Sequence, residues 1–155
     1  VLSTQIIENI EVENFNSESS RLHEKLENEY SLIYFFENGM CQACVEKELK
    51  NFRTILSNLS IPIVGIFKGY SSNYLRNDPS FQGLKEHMFI ASDYPTETKN
   101  LTGTPFIAIV NAQHEVITAN HTSKIDNLAF EYFLDVVRSI SKNWYSIFCG
   151  FYLLY

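Results

Sequence analysis

Residues 31–36, Ser-Leu-Ile-Tyr-Phe-Phe, form an apolar, aromatic run with no polar alternation, closed by Glu37-Asn38-Gly39. A strand with one wet face alternates apolar and polar side chains; an unbroken run ended by a glycine turn reads as a strand buried on both faces. Directly after the turn come Cys41-Gln42-Ala43-Cys44 and then a charged stretch with Val45, Leu49, Phe52, Leu56 and Leu59 as its apolar positions. Spacings of four, three, four and three residues between them are a helix period. The unit is strand, turn, helix, with both cysteines at the junction.

The rest of the chain extends that unit. Residues 5–13 predict a short edge strand, and residues 17–30 predict a helix with Leu22, Leu26 and Tyr30 on one side. Residues 61–68, Ile-Pro-Ile-Val-Gly-Ile-Phe-Lys, predict a second buried strand. An irregular stretch, 69–104, carries turn signals at Gly69 and Asn77-Asp78-Pro79, a short helix near 79–87 and a strand-like piece over 87–90. Thr104-Pro105 opens a strand ending at Asn111, and Asn111-Ala112-Gln113-His114 predicts a hairpin turn into 115–119. Ser123 to Asp126 has a capping-box pattern, starting a helix with Leu128, Tyr132, Phe133, Val136, Val137 and Ile140 as its buried stripe. A βαβ unit followed by ββα predicts an α/β fold, a central mixed sheet with helices on both faces. All 155 residues are read as one domain: a core at about 17–142, an insert over 69–104 and an apolar tail over 143–155.

Charge and composition exclude several functions. A formal charge of −6 with scattered basic residues gives no electrostatic footprint for a nucleic acid. No segment reaches the roughly 20 apolar residues of a membrane span. Residues 1–16 carry no signal-peptide core, and a chain starting at Val1 is expected to have had a leader removed or left out. The tail from Trp144 to Tyr155 is uncharged; it is expected to pack on the domain, with a partner or homodimer surface as the alternative. Cys149 lies in this tail and is left over once Cys41 and Cys44 are paired.

Three chemistries suit the cysteine pair. A helix N-terminus offers open N–H groups and positive potential, which favour a thiolate and so a nucleophile near neutral pH. Cys41 is placed for attack, and Cys44, three residues on and on the same face, is placed to resolve a mixed disulfide. A structural zinc site needs four ligands. His23, His87, His114 and His121 supply no matching pair, so no metal and no cofactor is expected. Two inert core thiols are the third reading. Elsewhere, Asp93 and Glu97 flank Tyr94-Pro95 in what reads as a solvated loop, and His114 reads as a surface residue. Tyr70, Tyr74 and Tyr94 read as half-buried packing that could also line a substrate groove.

Phe-Phe-Glu-Asn-Gly-Met-Cys-Gln-Ala-Cys before an amphipathic helix, with Gly103-Thr104-Pro105-Phe106 before a hydrophobic hairpin, resembles the thioredoxin-like superfamily. The long stretch ahead of Thr104-Pro105 resembles its redoxin branch, the TlpA-like extracytoplasmic thiol–disulfide oxidoreductases. The resemblance implies Cys41 as attacking thiol, Cys44 as resolving thiol, a cis Pro105, and a docking surface from Thr104, Pro105, Met40 and Gln42. It implies a protein or small-molecule disulfide as substrate, a redox partner protein, and a bacterial periplasm or cell envelope as compartment. A peroxiredoxin would carry Pro and Thr ahead of its cysteine, and this chain has neither there. Met40 stands where thioredoxin has Trp, and Phe35 where it has a buried Asp. The alternative function is a binding or assembly module of the same fold, with structural or vestigial cysteines.

Overall fold

The computed structural model describes residues 5–37, 39–95, 106–121 and 131–140. Its framework is one seven-stranded mixed sheet. The strands are β1 (Glu11–Glu13), β2 (Ser19–Arg21), β3 (Tyr30–Glu37), β4 (Ile63–Lys68), β5 (Met88–Ala91), β6 (Phe106–Asn111) and β7 (Val116–His121). Their spatial order is β2-β1-β5-β4-β3-β6-β7. β3 runs parallel to β4, and β4 to β5, while β6 is antiparallel to β3 and β7 to β6. The apolar run of residues 31–36 therefore lies inside the sheet with a strand on each side, as its lack of alternation requires.

Alternation sorts β3 between two cores. Leu32, Tyr34 and Phe36 join the cluster that holds Val45, Leu49, Phe52 and Ile55 of α1 (Gln42–Asn58). Leu75 of α2 (Ser72–Asn77) and Phe133, Leu134 and Val137 of α3 (131–140) complete that side. Ile33 and Phe35 point the other way, to Ile7, Val12, Leu22, Leu26, Phe89, Tyr94 and Phe106. Among the described residues this second face is covered by the N-terminal segment, with one 3-10 turn at Leu22–Lys25, and by Tyr94. Gly65 on β4 lets α1 come close: a Cβ there would sit 2.3 Å from Met88 Sδ and 3.3 Å from the Phe52 ring.

Several expectations are corrected. Residues 17–30 are not a helix: they are β2, a four-residue 3-10 turn and the approach to β3. Leu22 and Leu26 are buried on one face of the sheet while Tyr30 begins β3 and packs on the other, so the four-residue spacing marks no common stripe. The chain reverses at Asn14, whose Oδ1 accepts from the N–H groups of Asn16 and Glu18 at 2.9 and 3.0 Å, and Ser17 takes a φ of 65°. β1 is not an edge strand; it pairs with β2 on one side and β5 on the other, leaving β2 at the edge. The insert's α-helix spans Ser72–Asn77, and the region near 79–87 holds two 3-10 turns instead. On α1 Ile55 is buried and Leu56 only half-buried, and on α3 Leu134 is buried while Tyr132 is 73% exposed. Tyr94 is buried rather than loop-like, its hydroxyl donating to the Phe36 carbonyl. The capping box at 123–126, Leu128, Glu97 and the tail with Cys149 lie outside the described residues.

Candidate functional site

β3 ends at Glu37, Gly39 takes a φ of +91°, and α1 begins at Gln42. That left-handed conformation suits glycine, and it turns the chain off the sheet so that the helix starts over the strand's end. Cys41 is the N-cap residue, with extended backbone, and its Sγ accepts from the Cys44 N–H at 3.2 Å. The sulfur occupies the place a Ser or Asp oxygen takes in an ordinary cap, facing the open donors of the first turn. Cys41 and Cys44 form a disulfide with Cα atoms 5.1 Å apart, and both residues are exposed. Among the described residues no three His, Cys, Asp or Glu side chains are grouped to hold a metal ion.

Flanking residues tie this junction to the insert. Met40 is partly buried against the α1-side core. Gln42, between the cysteines, donates from Nε2 to Glu46 at 3.1 Å and accepts at Oε1 from the Tyr74 hydroxyl of α2 at 3.2 Å. Tyr74, 41% exposed, ends a run of aromatic contacts that starts in the core. Tyr34 stacks on Phe36 at 4.8 Å and Phe36 on Phe67 at 4.1 Å; Phe67 meets Tyr70 edge-on at 5.2 Å, and Tyr70 lies 5.5 Å from Tyr74. Burial, followed by the nearby Asp78 carboxylate, raises the Tyr74 phenol above its ordinary value of 10.0, and burial with Tyr74's own charge does the same for Tyr70. Burial pushes the Asp78 carboxyl up, but hydrogen bonds from Ser80, Tyr74 and Gln42 outweigh it and hold the group below 3.8. The tyrosines stay protonated donors at neutral pH, beside a charged Asp78.

The sequence-derived site is thus brought together in part. Cys41, Cys44, Met40 and Gln42 meet at one end of the sheet. Thr104 and Pro105, and with them the cis peptide, lie outside the described residues. Phe106, the first residue of β6, pairs with Phe35 near the end of β3, so β6 begins at the end of the sheet where α1 starts. Phe35 itself stacks on Phe106 at 4.4 Å and meets Tyr94 edge-on at 5.5 Å, on the face away from α1. One residue escaped the sequence reading. Glu48 is only 3% exposed, and it accepts a hydrogen bond from the Tyr34 hydroxyl across the helix–sheet interface. The signal was available: Glu48 falls three residues after Val45 and four before Phe52, on the buried stripe of α1.

No family model matches the chain, and no curated protein does. Solved structures do. A domain of a possible thiol-disulfide isomerase from Cytophaga hutchinsonii superposes with a TM-score of 0.65 at 14% identity, over 94% of this chain and 97% of that one. The exposed lipoprotein thioredoxin Etrx1 of Streptococcus pneumoniae gives 0.56 at 13% identity, over 85% of this chain and 99% of its own. Yeast Sco1 gives 0.54 at 14% identity, over 86% and 95%. At such identities the likeness speaks to architecture: the chain has the thioredoxin-like fold, of the α/β class. No helix among the described residues is long and apolar enough to cross a membrane.

Proposed function

We propose that this chain is a thiol–disulfide oxidoreductase. The observation that carries the reading is an exposed Cys41–Cys44 disulfide whose first sulfur caps the helix leaving a central strand. In the reduced protein the Cys41 thiolate, favoured by the helix N-terminus, attacks one sulfur of a substrate disulfide and releases the first substrate thiolate. Cys44 then attacks Cys41 in the mixed disulfide and releases the second. Two substrate thiols are produced for one Cys41–Cys44 disulfide, and the same steps reversed oxidise a dithiol. Met40 and Gln42, with Thr104 and Pro105, form the docking surface, the backbone beside Pro105 pairing with an extended peptide by strand addition. Protein disulfides and a partner redox protein are the matching reactants. The periplasm or cell envelope of a bacterium is the matching compartment, in keeping with the exposed lipoprotein named among the structural neighbours.

The test is trapping. A Cys44→Ala variant in its native cell extract should accumulate mixed disulfides on Cys41, visible by non-reducing gel and mass spectrometry. A variant that traps nothing, in a protein whose reduced Cys41 also resists alkylation, would refute the reading. The second reading, a binding module with a structural disulfide, draws on the same fold in yeast Sco1 and on exposed Tyr74 at the site. Thiol trapping across a glutathione redox series separates them, since a structural pair keeps one state throughout.

A further inference from the structure

Gln42 stands between the two cysteines as the first residue of α1, and both ends of its side-chain amide are taken. Nε2 donates to Glu46 at 3.1 Å, and Oε1 accepts from the Tyr74 hydroxyl at 3.2 Å. The first contact is local, one turn along the same helix. The second joins residues 32 apart and ties the cysteine segment to the insert. An exposed side-chain contact must beat the entropy of ordering both groups, so it holds best when one partner is already fixed. Tyr74 is such a partner. Its ring lies 5.5 Å from Tyr70, which meets the fully buried Phe67 edge-on at 5.2 Å. Ser71 Oγ accepts from the Tyr74 N–H at 3.2 Å, and Leu75 beside it is fully buried. Arg76 donates from Nε and Nη2 to the Phe15 carbonyl at 3.0 and 2.6 Å, holding α2 from its other side. Burial, and then the Asp78 carboxylate, raise the Tyr74 phenol, so it keeps its proton at neutral pH.

Reduction of the pair replaces a covalent bond between the sulfurs with a non-bonded contact, so the sulfurs separate and the first turn of α1 must adjust. Gln42 lies in that turn. We propose that Tyr74 is a positioning residue for the cysteine pair: by holding Gln42 from the insert, it keeps the first turn of α1 in the arrangement that brings Cys41 and Cys44 to bonding distance. A contact stronger in the disulfide form than in the dithiol form stabilises the disulfide by the difference. The same restraint keeps Cys44 near Cys41 in a mixed disulfide, where closeness raises the rate of resolution. Tyr74 transfers no electron and no proton. Two glutathiones become one glutathione disulfide for each Cys41–Cys44 disulfide reduced, and Tyr74 acts only on the balance between the two protein forms. This assignment rests on the oxidoreductase reading.

The full chain, equilibrated across a series of glutathione to glutathione disulfide ratios and then alkylated, reports the balance. Mass spectrometry of the Cys41 and Cys44 peptides reads the pair by itself and leaves Cys149 out of the measurement. Tyr74→Phe keeps the ring and removes the hydroxyl. It should shift the equilibrium constant about three- to tenfold toward the dithiol, the span of one ordinary hydrogen bond. Gln42→Ala should shift it the same way, and Tyr74→Phe should add nothing in that background. A Tyr74 that only packs would lower the melting temperature of the oxidised and reduced proteins alike and leave the equilibrium constant where it was. An unchanged constant in Tyr74→Phe, or full additivity of the two substitutions, overturns the proposal; should Tyr74→Phe not fold, an unchanged constant in Gln42→Ala does so. A wild-type pair that keeps one state across the whole series defeats the oxidoreductase reading itself, and this assignment with it.

Discussion

Gly65 decides how near α1 and the Met88 side chain come to the middle of the sheet. The methyl group of alanine would meet Met88 Sδ at 2.3 Å, and only the Met88 side chain has the freedom to move aside. Gly65→Ala should therefore destabilise the protein by about 1–3 kcal/mol, the usual cost of overpacking, as read from urea midpoints at unchanged m-value. His114 is the other residue with a measurable signature. Its ring stacks on His23 at 3.7 Å, with His23 Nε2–H donating to the Ile7 carbonyl at 2.6 Å, while its own backbone sits at a φ of 61°. Burial, and then the charge His23 would carry, lower the His114 pKa below 6.5. The unfolded chain then takes up the proton first, so stability falls as pH drops below about 6.5 and levels off only beneath the lowered folded value. His114→Asn, which tolerates the left-handed backbone, should show a shallower fall in Tm between pH 7.5 and 5 than the wild type. An equal slope would show that His114 contributes nothing to the acid limb.

Elements differed in how plainly the sequence announced them. β3, α1 and β4 were legible because burial on both faces removes alternation and a 3.6-residue stripe survives over 17 helical residues. The β6–β7 turn was legible in its Asn: Asn111 Oδ1 accepts from the Gln113 and Glu115 N–H groups at 3.0 and 2.9 Å. An equivalent device at Asn14 went unseen because leucines at 22 and 26 imitate a helix, and a tertiary contact, not local period, decides that segment. Leu22 N–H donates to the Ile10 carbonyl at 2.9 Å, drawing residues 19–25 against the preceding strand where a helix could not lie. If the Asn14 turn sets this reversal, Asn14→Ala should cost about 1 kcal/mol through two lost acceptor contacts and the lost Nδ2 donation to Glu18 at 2.7 Å. Asn14→Asp, which keeps the acceptor but sets a carboxylate against Glu18, should recover only part of it. Equal melting of the alanine variant and wild type would place the determinant elsewhere. The candidate site was half-readable for a related reason: the cysteine spacing and the place of Glu48 on the α1 stripe are visible in one dimension, but the partner that holds Glu48, Tyr34 on β3, is not.

On the scale of the molecule, β3 separates two packing environments that share its backbone and little else. Ile55 of α1 belongs to the core with the three helices, whereas Ile33 belongs to the core under the N-terminal segment, and both are fully buried. Ile55→Val and Ile33→Val should each cost about 0.5–1.5 kcal/mol by removing one methylene from a close-packed site. Among the described residues no packed side chain is common to both cores, so the double variant should equal the sum within about 0.5 kcal/mol. Urea unfolding followed by both near- and far-ultraviolet circular dichroism would check the sum and whether the two probes coincide. Coincident probes with additive losses mean two cores that melt together through the shared strand. A coupling above about 1 kcal/mol would instead mean that strain crosses the sheet. In that case the face carrying Phe35, Phe106 and Tyr94 would bear on the disulfide end through β3 itself, and Ile33→Val alone should then change the alkylation rate of Cys41.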